Sequence, residues 1–101
     1  MACKRVILPQ AQRDFLEIVS YLADVLKSPQ AAKGFMDEFE RQLDLLCESP
    51  DLFALSRMPE LAARGYRPLL VNSYVALVAI EGDVARVAHV FHQTQDYARL
   101  V

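Results

Sequence analysis

The sequence predicts an α+β fold, and three observations carry that prediction. Residues 4–8 form a short β-rich run, residues 9–49 hold two apolar stripes at helical spacing, and residues 66–91 hold three apolar runs separated by two turn signals. The expected order is an N-terminal strand, an antiparallel two-helix hairpin, a three-stranded antiparallel meander and a short C-terminal tail. The chain has 101 residues, of which 53% are hydrophobic. That is enough apolar material for one core without a disulfide framework or a metal, so residues 1–101 are expected to form a single domain.

The first run, Lys4-Arg5-Val6-Ile7-Leu8, is stopped by Pro9. Proline also suits the first turn of a helix, where its missing N–H is not needed. Ala11, Phe15, Ile18, Val19, Leu22 and Leu26 then recur at three- and four-residue spacing, the mark of one apolar stripe on a helix of four to five turns. Ser28-Pro29 restarts the pattern with an N-cap oxygen followed by proline at the first helical position. Ala32, Phe35, Phe39, Leu43 and Leu46 make the second stripe, and Ser49-Pro50 ends it. So short a link between the helices predicts a hairpin whose stripes bury against each other and against a sheet.

Residues 51–63 carry no clear period and read as a loop with one helical turn near Pro59. Strands are then predicted at Tyr66–Val71, Tyr74–Ile80 and Val84–Phe91. Asn72-Ser73 and Gly82-Asp83 join them, both with residues that tolerate positive φ. Pairing across the first turn sets Arg67 opposite Val78, Val78 near Val87, and His92 near Ser73. Arg67 and His92 should then lie roughly 15 Å apart along the strands, too far to act on one bond.

Net charge is −2 and the pI is about 5.6. Residues 28–63 set Lys33, Arg41 and Arg57 against seven carboxylates, a net of −4, and each flank is +1. A strong sequence-independent nucleic-acid binder is usually basic, so direct nucleic-acid binding of that kind is not expected. Cys3 and Cys47 have no C-x-x-C partners. They are expected to stay reduced in a cytoplasmic protein, because no signal segment or membrane span is seen. No cofactor is expected, and no ligand spacing joins His89 to either cysteine as a metal site.

Several local patterns are similar to those of one family. They are Tyr66-Arg67, Val71-Asn72-Ser73-Tyr74, Glu81-Gly82-Asp83-Val84, Val90-Phe91-His92-Gln93, and Asp96-Tyr97-Ala98-Arg99-Leu100. In this order and at these spacings the chain resembles the RelE/ParE toxins of bacterial type II toxin–antitoxin systems. The resemblance implies a growth-inhibiting toxin held inactive by a cognate antitoxin. RelE-like members cut mRNA in the ribosome, and ParE-like members poison DNA gyrase.

Metal-free RNA cleavage needs a base for the 2′-hydroxyl, an acid for the leaving oxygen and cations for the phosphate. Where RelE-like members carry a key arginine, this chain has Val75; the later tyrosine position is Val78, and Gln93, Thr94 and Gln95 replace the usual basic residues. The closing segment leans towards ParE. The resemblance thus implies a toxin that binds a target such as gyrase. The alternatives are a ribosome-dependent endoribonuclease and an inactive member that acts only as a binding module.

The candidate catalytic or target-contacting residues are His92, Arg67 and Tyr97. His92 leads because histidine exchanges protons near neutral pH. The candidate antitoxin-binding residues are Leu52, Phe53, Leu55, Met58 and Leu61, apolar side chains in and around the loop that could receive a partner helix. His89 is expected to be buried and hydrogen-bonded, and Tyr66 and Tyr74 to be packing residues.

Overall fold

A computed structural model describes residues 3–95. Tyr97 lies outside the described residues. The elements are β1 (Lys4–Ile7), α1 (Pro9–Ser20), a π-helical turn (Tyr21–Val25), α2 (Pro29–Glu48), a 3₁₀ turn (Pro50–Leu52), α3 (Pro59–Ala62), β2 (Tyr66–Val71), β3 (Tyr74–Glu81) and β4 (Val84–His92). The fold is the expected α+β arrangement.

The sheet runs β1-β4-β3-β2, with β1 parallel to β4 and the other pairs antiparallel. Arg67 pairs with Val78 and Val78 with Val87, as read from the turn positions, whereas His92 pairs with Tyr74, one position from the expected Ser73, because the register shifts between Leu77 and Val78. Asn72 and Gly82 hold positive φ at the two hairpin turns, at 56° and 60°. Both are residue types that tolerate the left-handed region. Pro68 sits in β2 at no cost to the interior ladder, because β2 is an edge strand.

Ser28 caps α2 as expected, its hydroxyl oxygen accepting from the Ala31 N–H at 3.2 Å. Phe35, Phe39, Leu43 and Leu46 of α2 are fully buried against Leu69, Val71, Ala76, Val78, Val87 and Val90 on one sheet face. Phe15 of α1 joins them, with ring centroids 5.3 Å from Phe35 and 5.1 Å from Phe39. A smaller cluster closes the opposite face: Leu61, Val75 and Leu77, with Met58, Tyr66 and Phe91 packed on it.

The first stripe departs from expectation at its end. Leu22 is buried, but Leu26 is 53% exposed. The π turn is the cause. The Leu26 N–H bonds the Tyr21 carbonyl five residues back, and the Ser28 N–H reaches the Leu22 carbonyl. One extra residue per turn rotates everything after Tyr21 off the α-helical register. Lys27, at φ 51°, then reverses the chain into α2.

The strand β4 contains a bulge. Leu77 pairs with His89 and Val78 with Val87, so Ala88 is the extra residue. The ladder from β1 ends here, where the Leu8 N–H meets the Val87 carbonyl. Beyond it the Asp14 carboxylate of α1 accepts from the Val90 N–H at 3.0 Å, which satisfies a donor that β1 no longer reaches.

The expectation of reduced thiols is corrected. Cys3 and Cys47 are joined as a disulfide, with their Cα atoms 5.3 Å apart across 44 positions. Spacing along the chain gave no hint of this, because only the fold brings the start of β1 to the last turn of α2. Arg5 of β1 also reaches α2, pairing with Glu40 and Asp44. Among the described residues, no helix is long and apolar enough to cross a membrane.

Candidate functional site

Two hollows bear on the candidate residues, one at the end of β4 and one along the edge strand β2. The first lies where β4 ends beside the π turn. It has a volume of about 700 Å³, and Glu17, Tyr21, Leu26, Tyr74 and His92 are among its lining residues. His92 is half-buried and held from several directions. Its backbone N–H donates to the Gln95 side-chain oxygen at 2.8 Å, and its carbonyl accepts from the Gln95 N–H at 2.9 Å. The Gln93 N–H bonds the Ser73 carbonyl at 3.0 Å, tying the strand end to the β2–β3 turn.

The ring is fixed as well. The Thr94 N–H donates to Nδ1 at 3.2 Å, and Thr94 Oγ1 lies 2.8 Å from the same nitrogen. A nitrogen that accepts from a backbone N–H carries a lone pair, so the ring proton sits on Nε2. The imidazole stands edge-on to Tyr74, with centroids 5.3 Å apart and planes at 81°. Burial raises the Tyr74 phenol above its ordinary value, and the neighbouring Tyr21 adds to the effect, so Tyr74 stays a neutral hydroxyl. The site therefore offers imidazole and phenol groups beside one carboxylate, Glu17.

Arg67 does not belong to this site. Its partner Val78 lies four positions along β3 from Tyr74, which places it about 13 Å away along the sheet. Its guanidinium donates to the Phe53 carbonyl and, at 3.5 Å, to the Pro50 carbonyl. It pins the loop before α3.

That loop builds the second hollow, of about 540 Å³, lined by residues 52–58 with Gln42, Pro68 and Leu70. Ser56 closes it onto β2. Its N–H bonds the Tyr66 carbonyl at 2.9 Å, and its hydroxyl accepts from the Met58 N–H at 3.1 Å. Leu52 is 72% exposed, Leu55 46% and Leu70 61%. Phe53 and Met58 are half-buried beneath them, against the main and the smaller core cluster respectively. Leu61 does not belong to this surface. It is 1% exposed and fills the smaller cluster, because α3 turns its leucine into the sheet.

His89 is half-buried and stacks on Phe91, with centroids 5.4 Å apart and planes 12° from parallel. Burial lowers its imidazole below the ordinary value; the Asp14 carboxylate opposes this and Arg64 adds to it. Tyr66 and Tyr74 pack against the two clusters, as expected. Val75, at the position where the resemblance would put an arginine, is 3% exposed among Leu61 and Leu77. Tyr21 and Glu17 escaped the sequence reading. Nothing in an apolar period announces a π turn, and that turn carries Tyr21 to the hollow.

Comparison with known proteins agrees with this architecture. Residues 6–97 match the family model described as ParE toxin of type II toxin-antitoxin system, parDE. No curated protein matches the chain. Among solved structures, one similar chain comes from the chromosomal ParDE toxin–antitoxin system of P. aeruginosa. It has 18% identity and a TM-score of 0.66, with 89% of this chain and 95% of that one covered. A chain of the toxin–antitoxin complex RelBE2 from Mycobacterium tuberculosis matches at 13% identity and TM-score 0.58, covering 91% and 99%. A chain of the YoeB-YefM complex from Staphylococcus aureus matches at 13% identity and TM-score 0.59, covering 91% and 98%. At these identities the structural likeness speaks for the fold alone.

Proposed function

The chain belongs to the ParE toxin family of type II toxin–antitoxin systems, and on that footing we propose that it inhibits growth by binding a target protein such as DNA gyrase and is neutralised by a cognate antitoxin. The observation that carries this reading is the separation of His92 from Arg67. RNA cleavage needs proton donors, acceptors and cations gathered on one phosphate. Here Arg67 is occupied by two loop carbonyls, and the other position that would supply a cation is the buried Val75.

Shape and chemistry support binding instead. The hollow at His92 holds directional polar groups from the strand ends, α1 and the π turn, which suits recognition of a target surface. The hollow at Leu52 and Leu55 is apolar and open, which suits the nonpolar face of an antitoxin helix, with Phe53 and Met58 as its half-buried floor. Membership of a toxin family of type II toxin–antitoxin systems supports an antitoxin as the partner.

The test is induced expression in a bacterium without the antitoxin, following growth, protein synthesis and DNA damage together. Arrest with DNA breaks while translation continues is the expected result. Arrest with early loss of translation and cut mRNA would overturn the binding mechanism in favour of the nuclease. Normal growth with soluble protein would assign the chain to a binding module without toxicity.

A further inference from the structure

We infer that Cys3 and Cys47 form a thiol–disulfide modification site that controls how firmly β1 is held, and that its reagents are neutral or cationic thiols. Three observations meet at this point. The Cα separation of 5.3 Å lies inside the range that a disulfide spans without backbone movement. Both residues are half-buried rather than sealed, and a hollow of about 390 Å³ opens on the pair, with Ile80 and Pro50 in its wall. The charged residues among its lining are Glu48 and Asp83, both carboxylates.

The bond is placed where it matters mechanically. The strand β1 has four residues, stands at the sheet edge and is largely exposed. Without the bond it is held by its short ladder to β4, by Ile7 against the core, and by the pairing of Arg5 with Glu40 and Asp44. Those ion pairs are partly exposed and contribute little. The disulfide ties the leading end of β1 to α2 across a span of 44 positions and so removes most of the strand's freedom to open.

The chemistry balances as ordinary exchange. A thiolate of a dithiol reductant attacks one Sγ, the Cys3–Cys47 bond breaks, and a mixed disulfide forms. The second thiol of the reductant displaces it. Two electrons and two protons end on Cys3 and Cys47, and the reductant leaves as a disulfide. A small-molecule disulfide drives the reverse. The attacking thiolate is an anion entering a site rimmed by Glu48 and Asp83, so a further negative charge on the reagent slows it and a positive charge speeds it.

The purified full chain is oxidised with a small-molecule disulfide and then treated with dithiothreitol. Mass after alkylation in denaturant and amide exchange at residues 4–8 are the readouts. The oxidised chain should take up no alkyl group. The reduced chain should take up two, and its β1 amides should exchange at least tenfold faster. Cys47→Ser should exchange its β1 amides as fast as the reduced chain does, with or without dithiothreitol, and should take up one alkyl group after reduction. Should that variant fail to fold, the wild-type comparison with and without reductant decides. Alkylation of both cysteines after oxidation, or β1 exchange that reduction does not change, would overturn the inference. At matched thiolate concentration, cysteamine should reduce the bond several-fold faster than mercaptoethanesulfonate. Equal rates would remove the part assigned to Glu48 and Asp83.

Discussion

Tyr74 faces His92 across the β3–β4 ladder, its ring 5.3 Å from the imidazole on one side and 5.2 Å from Phe35 on the other. Phe35 in turn touches Phe15 and Phe39. A continuous run of rings thus leads from the centre of the core to the candidate site. The packing that stabilises the helix–sheet interface also fixes the direction of the His92 ring.

Replacing His92 separates packing from chemistry. His92→Phe should keep the edge-on contact and change stability by no more than about 0.5 kcal/mol, while His92→Ala should lose about 1 kcal/mol of aromatic pairing. Both should lose growth inhibition, because both lose the Nε2–H. Growth curves beside thermal melts check this. A toxic His92→Phe protein would reduce the residue to a spacer.

Arg67 should prove a loop anchor. Arg67→Met removes the guanidinium donor from the Phe53 carbonyl, while the Pro50 carbonyl keeps the Phe53 N–H, and should cost about 1–3 kcal/mol. Amide exchange in residues 50–58 should rise, and target inhibition should survive at permissive temperature. Loss of inhibition with unchanged exchange would contradict the anchoring role.

Leu55 tests the second hollow. It is 46% exposed, so Leu55→Glu should leave the melting temperature nearly unchanged. It should weaken the antitoxin complex at least tenfold, which is about 1.4 kcal/mol. Calorimetric titration with the antitoxin decides, and full affinity would move the partner elsewhere.

His89 predicts an acid limb. Burial holds its folded-state value below the ordinary one, so protonation is costlier in the folded chain than in the unfolded chain. Its contribution is therefore fully present above about pH 6.5 and fades as pH falls through the lowered folded value. His89→Phe should flatten the loss of stability between about pH 7 and pH 5. Parallel denaturant melts of the two proteins give the comparison, and identical slopes would refute the assignment.

Much of this was legible beforehand because period and turn chemistry agreed. Ser28-Pro29 marked the start of α2, Asn72 and Gly82 marked the hairpin turns, and the two-residue turns set the register that places Arg67 and His92 apart. What escaped depends on geometry that sequence spacing does not encode. The π turn exposes Leu26 and delivers Tyr21 to the hollow; a helical stripe looks the same whether its last turn has four residues or five. Asp14 resembled any outer-face carboxylate until the end of β1 left the Val90 N–H to be satisfied. Leu61 looked like its exposed loop neighbours, and only the direction of α3 buries it.

The parallel pairing of β1 with β4 has a consequence for the order of events as the chain is made. Lys4 registers with Val84, so the earliest strand waits about eighty residues for its neighbour. Contacts of such long range close late, because the intervening loop must first surrender its entropy. A nascent chain can assemble the helical hairpin while β1 still has no place in a sheet. His92 ends that same last strand. Closure of the fold and the appearance of its candidate site are therefore one late event.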